Sequence, residues 1–130
     1  MHPIELIASA IAQSEGFYAP QSDLPKINHN PGDLRASPLP RKKDSHGLVV
    51  FLSDTEGWMS LIVQLLLFAQ RGYTIGQTIS TWAPPTGADG GNNTSLYLSE
   101  TLRRMNSKWT GTPFTAATKL SDFFHFESIP

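Results

Sequence analysis

The stretch Ile11-Ala12-Gln13-Ser14-Glu15-Gly16-Phe17-Tyr18 places an acid where the surrounding pattern calls for an apolar residue. Counting back from it, Ile4, Ile7, Ala8, Ile11 and Glu15 fall at i, i+3, i+4, i+7 and i+11, which is one face of a helix. Pro3 suits a first helical turn, Glu5 suits the positive end of the helix dipole, and Gly16 suits a helix stop. The spacing predicts a helix that starts near Pro3, with Glu15 at its C-terminal end on the apolar face. Burial and the negative end of the dipole both favour the protonated form of a carboxyl placed there. A carboxylic acid that keeps its proton near neutral pH is what protonation of a glycosidic oxygen requires. The other reading of Glu15 is an ordinary helix-end acid, solvated or paired with Arg35.

Downstream, residues 18–47 contain Pro20, Pro25, Pro31, Pro38 and Pro40 with Asn, Asp and Gly between them, and read as a long irregular region. Such a stretch in a compact domain is usually functional or disordered. Within it, Asn28-His29-Asn30-Pro31-Gly32-Asp33-Leu34-Arg35 carries the Pro-Gly pair of a type II turn. That turn would gather Asn28, Asn30, Asp33 and Arg35. Amides and a guanidinium suit sugar hydroxyls and acetamido groups. A turn stabilised by its own Asx side chains is the alternative.

Leu48-Val49-Val50-Phe51-Leu52 is the one clear strand signal, and Leu34-Arg35-Ala36 offers it a short partner. Ser53-Asp54-Thr55-Glu56 has the form of a capping box and opens the strongest helical pattern, Thr55 to Arg71, read as the central and most buried helix. Thr74-x-x-Gln77 is a second capping box. It opens a short helix with Ile75, Ile79 and Trp82 on one side, stopped by Pro84-Pro85. A Gly-Pro-Asp-Asn loop spans Ala83 to Asn93. A helix then runs to about Met105 with Leu98, Leu102 and Met105 inward, and Asp122 to Phe126 suggests a short terminal helix or turn. The expected fold is mainly α: a single domain over 1–130 with about five helices and a small β ribbon after the first.

Composition excludes several classes of function. Hydrophobic residues make up 39% of the chain, charged residues 16%, and the formal net charge is -1. No basic stripe interleaves with aromatics, so a nucleic-acid partner is not expected, and Arg41-Lys42-Lys43 reads as a solvated turn. The absence of cysteine excludes a disulfide scaffold, a thiolate metal site and a Cys nucleophile. Met1-His-Pro-Ile-Glu has neither the basic region nor the cleavage site of a signal peptide. The longest apolar run, Leu61 to Ala69, is interrupted by Gln64 and is too short to span a membrane. His2, His29, His46 and His125 show no metal-ligand spacing. His29 and His46 facing each other across the loop, with Asp33, is the nearest approach to a site. No metal and no cofactor are expected.

Trp82, beside the Ala83-Pro84-Pro85 loop, has the face to stack on a sugar ring, or else packs with Ile75 and Ile79. Tyr97, after Asn92-Asn93-Thr94, sits one turn into its helix with a hydroxyl suited to bonding a carboxylate.

Taken together, Ser14-Glu15-Gly16, then Asn30-Pro31-Gly32-Asp33-Leu34-Arg35, then Phe51-Leu52-Ser53-Asp54-Thr55-Glu56-Gly57-Trp58, then Trp82-Ala83-Pro84-Pro85, Asn93-Thr94 and Tyr97 resemble the lysozyme-like lytic transglycosylases and the phage tail- or virion-associated muralysins. The likeness covers roughly residues 4–105 and lies in the order and spacing of motifs that are weak singly. It implies a lysozyme-like α+β fold acting on the glycan strands of peptidoglycan at a bacterial cell wall. It makes Glu15 the general acid/base and Tyr97 a partner of that carboxylate, and it has Asn30 and Arg35 shape the site. Two positions depart from the pattern. Asp33 stands where the family has Asn, either as a second carboxylate or as a structural replacement. Asn92-Asn93-Thr94 stands for Asn-Asp-Thr, so an acid is missing there. With one assured carboxylate, a transglycosylase reaction is more natural than inverting hydrolysis. The alternative is a lysozyme-like module without activity that serves as a virion part or glycan binder.

Overall fold

The computed structural model describes residues 1–19, 23–85 and 93–128, with 125–128 by backbone alone. Most of the loop expected from Ala83 to Asn93, and the side chains of His125 and Phe126, lie outside these residues. The chain is mainly helical: α1 is Pro3–Ser14, α2 Leu24–Ile27, α3 Asp54–Gln70, α4 Ile75–Trp82 and α5 Thr94–Ser107, followed by a 3-10 segment, Leu120–Ser128. None of the described helices is long and apolar enough to cross a membrane. Two compact units are present, one from Ala8 to Gln64, the other made of Met1–Ile7 and Leu65–Pro130, with the divisions falling inside α1 and α3.

The helix ends follow from the sequence. At the end of α1 the Phe17 amide bonds the Ala12 carbonyl at 3.0 Å and the Gly16 amide bonds Gln13 at 3.2 Å. Gly16 has φ +87°. This pair of bonds around a left-handed glycine is a common helix stop, and it makes Glu15 the last, half-helical residue of α1. Thr74 Oγ1 accepts from the Gln77 amide at 3.1 Å while Gln77 Oε1 accepts from the Thr74 amide at 2.9 Å, completing the box that opens α4. The α3 box is different. Ser53 Oγ caps the Glu56 amide at 3.2 Å, but Glu56 Oε1 reaches back to the Leu52 amide at 3.3 Å and is gripped by Arg41 Nε at 2.6 Å. Arg41 is therefore not a solvated cation of the turn but one half of a bidentate ion pair.

The most buried helix is α1 rather than α3. Ile4, Leu6, Ile7, Ala8, Ala10, Ile11 and Ala12 are all buried, so α1 is covered on more than one face. In α3 the buried residues include Ser60, Leu61, Leu65 and Phe68, while Met59, Val63, Leu66 and Leu67 are exposed. Periodicity located both helices but ranked them by apolar count. The small alanines of α1 let neighbouring chain close on several sides, which a count of large apolar residues does not register.

In the unit Ala8–Gln64 the expected irregular region is ordered by specific bonds. It contains α2, with Pro25 buried in its first turn. The expected ribbon is reduced to one antiparallel bridge, Lys43 with Val49. Around it, successive amides of the extended segment bond three different places: Val49 to Leu34 O, Val50 to Lys42 O and Phe51 to Asn28 O, each at 2.9 Å. Gly57, in the first turn of α3, lies against the loop before it. A Cβ there would stand 2.0 Å from the His29 carbonyl oxygen.

In the other unit, Leu65, Phe68, Ile75, Ile79, Met105, Leu120 and Phe123 are buried. Thr74 bridges Lys119, and the Ile75 amide bonds Thr118 O at 2.8 Å. Asn106 clamps Phe114 through both its amide and its carbonyl, at 2.8 and 3.1 Å. Leu120 and Phe123 fix the terminal segment by burial, as its sequence suggested.

Candidate functional site

The centre of the site lies in the unit Ala8–Gln64 and is built on two backbone stops. The first, Gly16, ends α1 and leaves Glu15 half-buried at the helix terminus. The second is the turn at Asn30-Pro31-Gly32-Asp33, closed by the Asp33 amide on Asn30 O at 3.0 Å. The left-handed residue of this loop is Asp33, at φ +53°, rather than Gly32, so the turn is not the type II form that Pro-Gly predicts. Asp and Asn are the residues that tolerate that conformation best after glycine. This is a backbone reason for either of them at this position.

Asn30 is what holds the turn. It is fully buried. Its Nδ2 donates to Leu34 O and to Val49 O, both at 3.0 Å, and its Oδ1 accepts from the Leu34 amide at 2.8 Å. Those three bonds occupy the amide from within the fold, so Asn30 shapes the site by fixing Asp33 and does not itself face a ligand.

Asp33 and Glu15 meet. The Glu15 carboxyl lies within side-chain hydrogen-bonding reach of the Asp33 carboxyl. Two carboxyls bond each other only when one carries a proton. The contact with Glu15 favours the charged form of Asp33. Asp33 Oδ1 is buried with no hydrogen-bond partner among the described residues. Burial, the largest influence, pushes the Asp33 carboxyl above the ordinary aspartate range. Arg35, the Glu15 bond and His46 pull it down, while Asp44 pushes it up. Arg35 thus acts on Asp33 by charge. Its Nη1 donates to the His46 carbonyl at 2.8 Å and its side chain is exposed.

Asp44 is the organiser that the sequence did not single out. Its Oδ1 accepts from the His46 and Leu48 amides at 2.8 and 3.0 Å, and its Oδ2 accepts from Asn28 Nδ2 at 2.9 Å. The bond from Leu48 and then that from Asn28 hold its carboxyl below the ordinary range. An Asp two residues before a His and four before a Leu is a common local pattern, so only its partner at position 28 would have drawn attention to it. His29 and His46 do not form a pair. His29 Nδ1 lies 2.8 Å from Asp54 Oδ1, and His46 Nδ1 lies 3.8 Å from Asp44 Oδ2.

Next to Glu15 in the chain, Phe17, Tyr18 and Trp58 form an aromatic cluster. Phe17 meets Trp58 edge-on at 5.4 Å, and Tyr18 lies 6.3 Å from Trp58 with its ring mostly exposed. Trp82 and Tyr97 belong to the other unit. Trp82 ends α4, half-buried, with its ring edge-on to Phe68 at 6.2 Å. Tyr97 lies in the first turn of α5, opened by Asn93 Oδ1 on the Leu96 amide at 3.0 Å, and is half-buried.

Chemically, the Ala8–Gln64 unit offers a half-buried carboxyl at a helix end, a second carboxyl beside it whose pKa burial raises, and a guanidinium that opposes that rise. Compared with known protein families, with curated proteins and with solved structures, the chain finds no match in any of the three.

Proposed function

We propose that the protein cleaves the glycan strands of peptidoglycan, as a lytic transglycosylase, with Glu15 as the general acid and then the general base. The observation that supports this reading is the half-buried Glu15 at the end of α1, with its carboxyl close to that of Asp33. The order of motifs supplies the substrate class. The roles that the resemblance gives Arg35, Trp82 and Tyr97 are part of the same proposal.

In the reaction, the Glu15 proton passes to the glycosidic oxygen as the bond from that oxygen to the anomeric carbon breaks. The resulting Glu15 carboxylate takes the proton of the same sugar's 6-hydroxyl as that oxygen bonds the anomeric carbon. One ring closes, one leaving group departs, the acid is restored and no water is consumed.

The test is digestion of purified sacculi with analysis of the released muropeptides. Wild type releases products with anhydro ends. Glu15→Gln, folded by circular dichroism, loses roughly 10²–10⁴ in rate. A wild-type protein that releases nothing from any sacculus would instead be a glycan-binding or virion-structural module.

A further inference from the structure

We propose that Tyr18 and Trp58 form a stacking platform for a pyranose ring of the glycan strand, beside Glu15 and outside the reacting bond. The inference rests on the glycan reading and adds the place where the strand is held. Its first support is the turn that follows α1. The Ala19 amide closes on Gly16 O at 3.0 Å, which makes Phe17 and Tyr18 the central residues of the turn. Phe17 is buried, whereas Tyr18 is 58% exposed, a large apolar ring left in water. Three residues of chain span at most about 11 Å, so the Tyr18 backbone lies within about a disaccharide's length of that of Glu15.

The second support is that the ring is held. Tyr18 meets Phe17 edge-on at 5.4 Å and lies 6.3 Å from Trp58, with those two planes 37° apart. Phe17 in turn meets Trp58 edge-on at 5.4 Å and has the Lys26 ammonium 4.8 Å from its ring centroid. Phe17 is therefore the anchor of the cluster, and a ring anchored in this way loses little freedom when a ligand stacks on it. From Trp58 the face continues into a cleft of about 440 Å³ lined by Thr55, Trp58, Met59, Ile62 and Val63.

The chemistry of this face selects the ligand. None of the five lining side chains is charged. The two acids beside them in the first turn of α3 are engaged elsewhere, Asp54 with His29 and Glu56 with Arg41. A neutral aromatic face with hydroxyls at Tyr18 and Thr55 suits a neutral ligand that has a flat C–H face and a rim of hydroxyls. A pyranose ring is built that way: its polarised C–H bonds point at the π face while its hydroxyls stay in water or bond the rim.

The probe is peptide-free glycan strand prepared from sacculi. In Glu15→Gln, which holds strand without cleaving it, binding is followed by tryptophan emission. The strand changes the emission, and Trp58→Phe, checked for folding by circular dichroism, removes most of that change. Tyr18→Ala in the same background weakens binding about 3–10-fold, while Tyr18→Phe stays within about twofold. With Glu15 in place, Tyr18→Ala raises KM for strand cleavage by a similar factor and leaves kcat within about twofold, since stacking outside the reacting bond holds ground state and transition state alike.

The platform fails if Tyr18→Ala binds strand as tightly as its parent, or if the emission change survives in folded Trp58→Phe. It also fails if sedimentation shows a dimer that Met59→Lys dissociates and strand does not, since a second copy would then cover the face. Cleavage with an unaltered KM in Tyr18→Ala sinks the platform and leaves the cleavage reading standing. Tyr18-dependent binding by a wild-type chain that cleaves no sacculus keeps the platform and sinks the cleavage reading.

Discussion

At the scale of single residues, most of the design lies in side chains that satisfy backbone groups. Asn30→Ala would leave the Leu34 amide and the Val49 carbonyl without the Asn30 bonds in a buried place, while the Leu34 carbonyl keeps the Val49 amide. Each orphaned buried group costs about 1–3 kcal/mol, so a loss of roughly 2 kcal/mol or more is expected in urea unfolding, with Asp33 released from its turn. Asp44 gives a prediction with a sign. Its folded carboxyl titrates below the ordinary value, so its contribution to stability is fully present above that value. The contribution is lost as pH falls through the folded value, in the window below about pH 4. Asp44→Asn should lower Tm at neutral pH and flatten the fall of Tm toward acid, with the two proteins converging at the lowest pH. Sequence reading reached Asn30, Asp33 and Arg35 as a group because Pro-Gly marks a turn. It did not reach their bonding, because Asn30 closes on Val49 nineteen positions away and Asp44 on Asn28 sixteen away. No local pattern encodes such distances.

At the scale of elements, the helices were legible because their ends are written in local chemistry. Gly16, Ser53 and Thr74 act at the places the sequence assigns them. The burial of each helix was less legible, since it depends on what packs against it. Gly57 shows the difference. In a first helical turn it is a poor helix former, and only the close approach of the His29 carbonyl and Pro31 Cδ explains it. Gly57→Ala would gain about 1 kcal/mol in helix propensity. It would also place a Cβ 2.0 Å from that carbonyl oxygen, which forces the loop away from α3. The clash should win, giving a net destabilisation of about 1–3 kcal/mol that is measurable by thermal unfolding. The loop it displaces carries Asn30 and Asp33, so muropeptide release should fall together with stability.

At the scale of the whole molecule, the chain is mainly helical, as its periodicities indicate, with two units whose divisions fall within helices. The five Pro residues of 18–47 pointed to irregularity, and the described residues of that region form no regular strand. What replaces a sheet is a set of cross-links from Asn28, Asn30 and Asp44, which composition alone reads as loop. Those cross-links affect how the protein behaves among its own copies. A strand at a sheet edge presents a row of unpaired amides on one side, and another chain can add to that row. The Val49, Val50 and Phe51 amides are instead spent on Leu34, Lys42 and Asn28 in turn. The most β-prone segment of the sequence therefore offers an incoming strand no run of free donors, and its hydrophobic residues can be kept without seeding fibrils.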